Sequence, residues 1–225
     1  MIINAKELVK KYGDGESEVI ALNSINFSAQ SDEFIAIMGR SGCGKTTLIN
    51  ILATLDFPDT GEYYLDDTLV SKLSEKQLAQ IKRRKVAVIF QNYNLVEEIT
   101  VHENLILPFV FDKRNYDKNY FDEIVTDLGL KEKLNKYPAQ LSGGEKQRVS
   151  IARALMIKPV VILADEPTGN LDYSNAINVV KMLKTCSQKY KQTVVMVTHD
   201  RELADFADRI VFMQDGQIIN EVRCQ

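Results

Sequence analysis

The run Gly39-Arg40-Ser41-Gly42-Cys43-Gly44-Lys45-Thr46 matches the spacing Gly-x-x-x-x-Gly-Lys-Ser/Thr, which suits the capture of a polyphosphate. Glycines let the backbone curl tightly, and consecutive N–H groups then converge with a helix N-terminus into an anion nest. Lys45 is placed to reach the β- and γ-phosphates, and the Thr46 hydroxyl to ligate Mg²⁺. The bland alternative is a glycine-rich turn with a capping threonine. The flanks favour phosphate binding, because the apolar run Phe34 to Met38 precedes the loop and the helical sequence Thr47-Leu48-Ile49-Asn50-Ile51-Leu52 follows it. Cys43 brings a thiol into the loop. A helix N-terminus and a lysine both favour thiolate, so Cys43 is expected to be reactive unless its sulfur packs against the sheet.

A second acidic constellation lies far downstream, where the apolar run Val160-Val161-Ile162-Leu163-Ala164 ends in Asp165 and Glu166. Open α/β sheets bind ligands at the carboxyl ends of their strands, so both carboxylates should arrive beside the phosphates. Asp165 suits a Mg²⁺ shell and Glu166 a general base for an attacking water; a loop or helix cap is the plain alternative. Ser142-Gly143-Gly144-Glu145 opens a segment in which Val149, Ala152 and Leu155 stand at helical spacing. Serine and glycines at a helix start make a second anion site, although Ser-Gly-Gly alone is a common turn.

The elements that must position these residues follow from apolar patterning. Phe34 to Met38, Val86 to Phe90, Val160 to Ala164, Val194 to Val197 and Ile210 to Met213 are short continuous apolar runs, as buried parallel strands covered by helices require. The first thirty residues alternate instead, predicting an antiparallel layer. Between the second and third runs, residues 92–155 show helical periodicity, with Phe121, Ile124, Val125 and Leu128 closed by Gly129, and read as an inserted helical subdomain. Another helix is predicted from Ser74, with Gln77 completing a capping box and Leu78 and Ile81 facing the core; its basic end, Lys82 to Lys85, reads as a solvated terminus. One α/β domain spans 1–225. With 28 basic against 31 acidic residues the chain has no basic stripe for nucleic acid, and its apolar runs fall short of the ~20 residues of a membrane helix. The opening Met1-Ile2-Ile3-Asn4-Ala5-Lys6 has no secretory pattern, and the widely spaced Cys43, Cys186 and Cys224 read as free thiols, so cytoplasmic residence is expected.

In order along the chain, Tyr12, the Gly39 to Thr46 loop with Thr47, Gln91, Leu141 to Glu145, Asp165-Glu166, Leu171-Asp172 and His199 resemble the motifs of the ABC ATPases. The resemblance implies a P-loop NTPase core with a mainly parallel sheet, an N-terminal antiparallel β layer and an inserted helical subdomain. It implies ATP and Mg²⁺, with Tyr12 stacking on adenine, Gly39, Arg40, Ser41, Gly42, Cys43, Gly44, Lys45, Thr46 and Thr47 around the phosphates, and Thr46, Gln91 and Asp165 at the metal. Glu166, His199, Gln91 and Lys45 are the implied catalytic residues. Two chains are implied to dimerise head to tail, Ser142, Gly143, Gly144 and Glu145 of one completing the ATP site of the other, on the inner face of an integral membrane permease that meets residues 92–111. Finer stretches, among them Leu55-Asp56, Val88 to Leu95 and Ala164 to Asp172, are similar to the macrolide-efflux, lipoprotein-release and antimicrobial-peptide-resistance branch. A non-transport ABC ATPase, such as a cell-division regulator, would use the same motifs, whereas DNA-repair ABC proteins carry long insertions for which this chain has no room. Cys43, Glu145 and Ser31-Asp32-Glu33 depart from the usual residues.

Overall fold

The computed structural model describes residues 1–224. Strands β1 (Ile3–Tyr12), β2 (Val19–Ala29) and β3 (Phe34–Gly39) lead into helix α1 (Lys45–Leu52), followed by β4 (Thr60–Leu65), β5 (Thr68–Leu69), α2 (Glu75–Arg84) and β6 (Val86–Phe90). Three helices come next, α3 (Val101–Phe111), α4 (Lys118–Asp127) and α5 (Gly143–Met156). The chain then alternates through β7 (Val161–Asp165), α6 (Tyr173–Tyr190), β8 (Thr193–Val197) and α7 (Arg201–Ala204), and closes with β9 (Arg209–Gln214) and β10 (Gln217–Arg223).

The strands form two sheets. A four-stranded antiparallel sheet runs in the order β2-β1-β4-β5, and a six-stranded sheet in the order β10-β9-β3-β8-β7-β6, parallel except for β10. In β3, Phe34, Ala36 and Met38 face the helical side with α5 and α6, while Ile35 and Ile37 face α1 and the antiparallel sheet. Strands β7 and β8 alternate likewise, Ile162, Ala164, Val194 and Met196 against Val161, Leu163, Val195 and Val197. Apolar cover on both faces explains the unbroken hydrophobic runs. The phosphate loop therefore leaves a strand buried on both faces with hydrogen-bonded neighbours on both edges, a rigid mount.

The predicted capping box is present at α2, where Ser74 and Gln77 hydrogen-bond reciprocally. The basic end of that helix is exposed, as expected of a solvated terminus, and in addition pairs with a distant carboxylate. Arg84 grips Asp112 with two hydrogen bonds of 2.7 and 3.2 Å, and Arg83 and Arg114 close on the same carboxylate at 3.5 and 3.1 Å. Arg84 foremost holds the Asp112 carboxyl below its ordinary range. This cluster ties α2 to the end of α3, a tertiary role that the local charge run did not disclose. Two further pairings support the phosphate loop from outside: in the β9–β10 turn the Gly216 N–H donates to the Cys43 carbonyl at 3.1 Å, and its carbonyl accepts from Asn23 at 2.8 Å.

Candidate nucleotide-binding site

Gly39 ends β3 where no side chain fits: a Cβ there would lie 2.3 Å from the Met213 carbonyl. Gly44 has φ of 100° and backs onto Ala21, again with no room for a Cβ, and it caps α1. Gly42 is different, since its φ is 79° but its Cβ direction is open. The loop is thus braced behind and free in front. Lys45 spans it, its ammonium donating to the Gly39 and Arg40 carbonyls at 2.9 and 2.8 Å.

Strand β7 delivers the carboxylates to the same place. Asp165 Oδ1 accepts from the Thr46 hydroxyl at 3.4 Å. Burial pushes the Asp165 carboxyl up, and the adjacent Glu166 adds to this against the Thr46 hydrogen bond. Glu166 leaves the strand in a left-handed conformation, φ 44°, anchored by its N–H on the Val197 carbonyl at 3.1 Å. A glutamate held in this region is strained and persists only where the surroundings enforce it. His199 Nδ1 stands 3.6 Å from Glu166 Oε1, with both side chains reachable by solvent. An open cleft of about 400 Å³ is lined by Thr46, Phe90, Gln91, Asn92, Asn94, Asp165 and Glu166. Its oxygen donors suit Mg²⁺, which binds through one or two protein ligands together with substrate phosphates.

Gln91 reaches the cleft from the end of β6 and is fixed by Asn170, whose amide donates to the Gln91 carbonyl and to Asn92, each at 3.0 Å. Tyr12 is 43% exposed, so its ring is free to take a stacking partner. Its hydroxyl donates to Asp56 at 2.6 Å and Lys10 sits 5.2 Å from the ring. Ser142 caps α5, accepting from the Glu145 N–H at 3.3 Å, while Glu145 accepts from the Ser142 N–H at 2.8 Å. The other Glu145 oxygen meets Lys133 at 2.8 Å, the main reason its carboxyl falls to about 2. Ser142, Gly143, Gly144 and Glu145 are absent from the lining of the Thr46–Asp165 cleft. The starts of α1 and α5 therefore do not share this cleft.

The profile of the ABC transporter family matches residues 22–169. The chain belongs to the ABC transporter ATPase family. An uncharacterized ABC transporter ATP-binding protein of Methanocaldococcus jannaschii is 44% identical over 97% of this chain and 98% of its own length. The bacitracin export ATP-binding protein BceA of Halalkalibacterium halodurans is 40% identical over 98% of this chain and 88% of its own. A solved dimeric ATP-binding cassette in a post-hydrolysis state, bound to ADP and phosphate, superposes with a TM-score of 0.88 at 37% identity, covering 100% of this chain and 99% of that one.

Within this ABC cassette the Cys43 thiol is buried. It is 7% exposed, packs in the core beside Ile35 and Leu48, and lies 3.8 Å from the Lys45 ammonium. Of the two alternatives, a reactive thiol or one packed against the sheet, the burial favours the packed one, because reactivity requires a sulfur that reagents can reach. Cys186 is buried and its thiol is pushed up to about 11, mainly by that burial. Maleimide is therefore expected to modify half-buried Cys224 first and to leave nucleotide binding intact. Peptide mass spectrometry checks this, and early labelling of Cys43 with loss of binding would refute it. Sequence reasoning also overlooked Asn170 and Arg153, which bind the loop after Gln91 from distant elements. Asn170 stood within the Ala164 to Asp172 stretch, but nothing local gave its target.

Proposed function

We propose that the chain is the ATP-hydrolysing subunit of an ABC transporter, working as a dimer in which the Ser142 end of α5 completes the nucleotide site of the opposite protomer. The observation that carries this reading is that the starts of α1 and α5, each with the residue types that suit an anion, do not share one cleft on the chain. Each is half of a site, and two copies set head to tail make two whole ones. In that arrangement the phosphate loop and Lys45 hold the β- and γ-phosphates, Tyr12 supports the base, and Glu166 takes the proton of the attacking water. Thr46, Asp165 and Gln91 would hold Mg²⁺, which supplies charge neutralisation at the phosphates. His199 orients the same reacting end from its place beside Glu166.

The γ-phosphate is then the switch, since the opposing Ser142 end meets its charge only when the dimer is closed. A membrane partner is supported by an apolar groove with a basic rim, lined by Lys82, Arg83, Leu107, Pro108, Phe111 and Arg153. Val110 and Phe111 beside it are 60% and 67% exposed, unusual for large apolar side chains without a partner. No helix of the described residues is long and apolar enough to cross a membrane, so the subunit would sit peripherally on the inner face. Phosphate release from ATP, present with Mg²⁺ and lost with EDTA, tests the proposal. Binding of ATP with no release at saturating Mg²⁺ would point instead to a nucleotide-gated regulator.

A further inference from the structure

The segment after Gln91 is bent in a way its residues do not favour. Tyr93 and Asn94 both adopt left-handed backbone, with φ of 60° and 48°, and for a bulky aromatic residue this conformation is an outlier. The Arg153 guanidinium, on the third turn of α5, donates to both carbonyls of this bend, to Asn94 at 2.7 Å and to Tyr93 at 3.0 Å. No carboxylate pairs with Arg153 among the described residues, so these two carbonyls are what its charge is directed at. A planar fork that spans two adjacent acceptors can fix their relative orientation, which a point charge cannot.

The bend touches α5 a second time, at its start. A Cβ on Gly143 would come within 3.0 Å of the Tyr93 hydroxyl, so the ring of the bent residue lies against the end that Ser142 caps. Arg153 also lines the apolar groove with Leu107 and Phe111. One guanidinium thus contacts the loop that carries Gln91, belongs to the helix that carries Ser142, and faces the groove.

We propose that Arg153 is a positioning residue that locks the Tyr93–Asn94 bend, and through it keeps Gln91 over the cleft and α5 in a fixed orientation to β6. The inference rests on the proposed hydrolytic function for its kinetic consequence, though not for its structural one. Arg153 touches neither nucleotide nor metal in this scheme. It acts on turnover by restricting the loop that does.

The test compares Arg153→Met and Arg153→Lys with the wild-type protein, using steady-state kinetics with Mg-ATP and amide hydrogen exchange at Tyr93 and Asn94. Arg153→Met is expected to lower kcat by about tenfold or more, inside the 10²-fold that a misplacement of 1 Å can cost. The KM for ATP should stay within about twofold, because the phosphate loop is held by other contacts. Exchange at the two amides should rise by about tenfold or more. Arg153→Lys should be intermediate in both, reaching one carbonyl but not two. Wild-type exchange at Tyr93 and Asn94 in Arg153→Met overturns the proposal whatever the ATPase rate, since exchange needs no turnover. So does a joint loss of KM and kcat that Arg153→Lys shares in full, which is what a merely structural role produces. Should Arg153→Met not fold, Arg153→Lys decides alone, and wild-type exchange and kcat in it overturn the proposal. Absence of phosphate release from the wild-type protein would instead defeat the hydrolytic reading and leave the exchange result to judge Arg153.

Discussion

Glu166→Gln is expected to slow phosphate release by about 10²- to 10⁴-fold while ATP still binds. The amide keeps the size of the side chain and its place at the end of β7 but cannot accept a proton from water. Binding should survive because the groups that face the phosphates, Lys45 and the loop N–H groups, are braced by Gly39, Gly44 and the Thr46–Asp165 hydrogen bond, none of which involves the Glu166 carboxylate. A glutamine also tolerates the left-handed backbone no worse than glutamate, so the fold should be unaffected. Single-turnover phosphate release and equilibrium ATP binding measure the two halves of the claim. A rate within about threefold of wild type would remove Glu166 as the base.

Ser142→Arg, on the Glu166→Gln background, is expected to abolish the ATP-dependent dimer seen by light scattering. The substitution deletes the hydroxyl that caps α5 and puts a long, bulky side chain where the opposing phosphates would have to enter, keeping the two helix ends apart. Losing an N-cap costs about 0.5–2 kcal/mol, too little to unfold a helix as deeply packed as α5. The monomer's affinity for ATP should therefore change by no more than about threefold, under 1 kcal/mol. The separation matters: equal losses in monomer binding and dimerisation would mean that the two helix ends serve one chain, and a normal dimer would mean that Ser142 lies outside the interface.

Much of this architecture was legible along the sequence, where its cause is local. The phosphate loop, the parallel strands and the Ser74–Gln77 box each depend on residues a few positions apart, so spacing alone exposed them. Strands β4, β5 and β10 were missed. β4 buries only Tyr63 and Leu65, and β10 is mostly exposed, so neither carries a strong apolar pattern. Residues whose role is set by distant partners were equally hidden. Arg83 and Arg84 are the exposed helix end their sequence suggests, but their pairing with Asp112 is not visible there, and Arg153 looks like an ordinary helical arginine until the bend at Tyr93 reaches it. Glu145, placed near nucleotide by the family resemblance alone, meets Ser142 and Lys133 within its own chain, pairings its sequence position only half discloses. Whether Cys43 faced ligand or sheet was a question of which side of one loop was covered, and single-chain periodicity does not carry that information.

The placement of β3 between β8 and β9 has a consequence for how the protein is made. The strand that ends in the phosphate loop leaves the ribosome well before both of its hydrogen-bonded neighbours and before Gly216, which contacts Cys43, because all of these lie far downstream in sequence. At typical elongation speeds roughly ten to thirty seconds pass before those partners appear. During that interval an apolar strand stands with two open edges, and no complete loop exists for ATP to bind and stabilise. High sequence separation at the core strand also predicts slow folding, so overexpression should strain chaperone capacity, and slower translation at low temperature should raise the soluble yield.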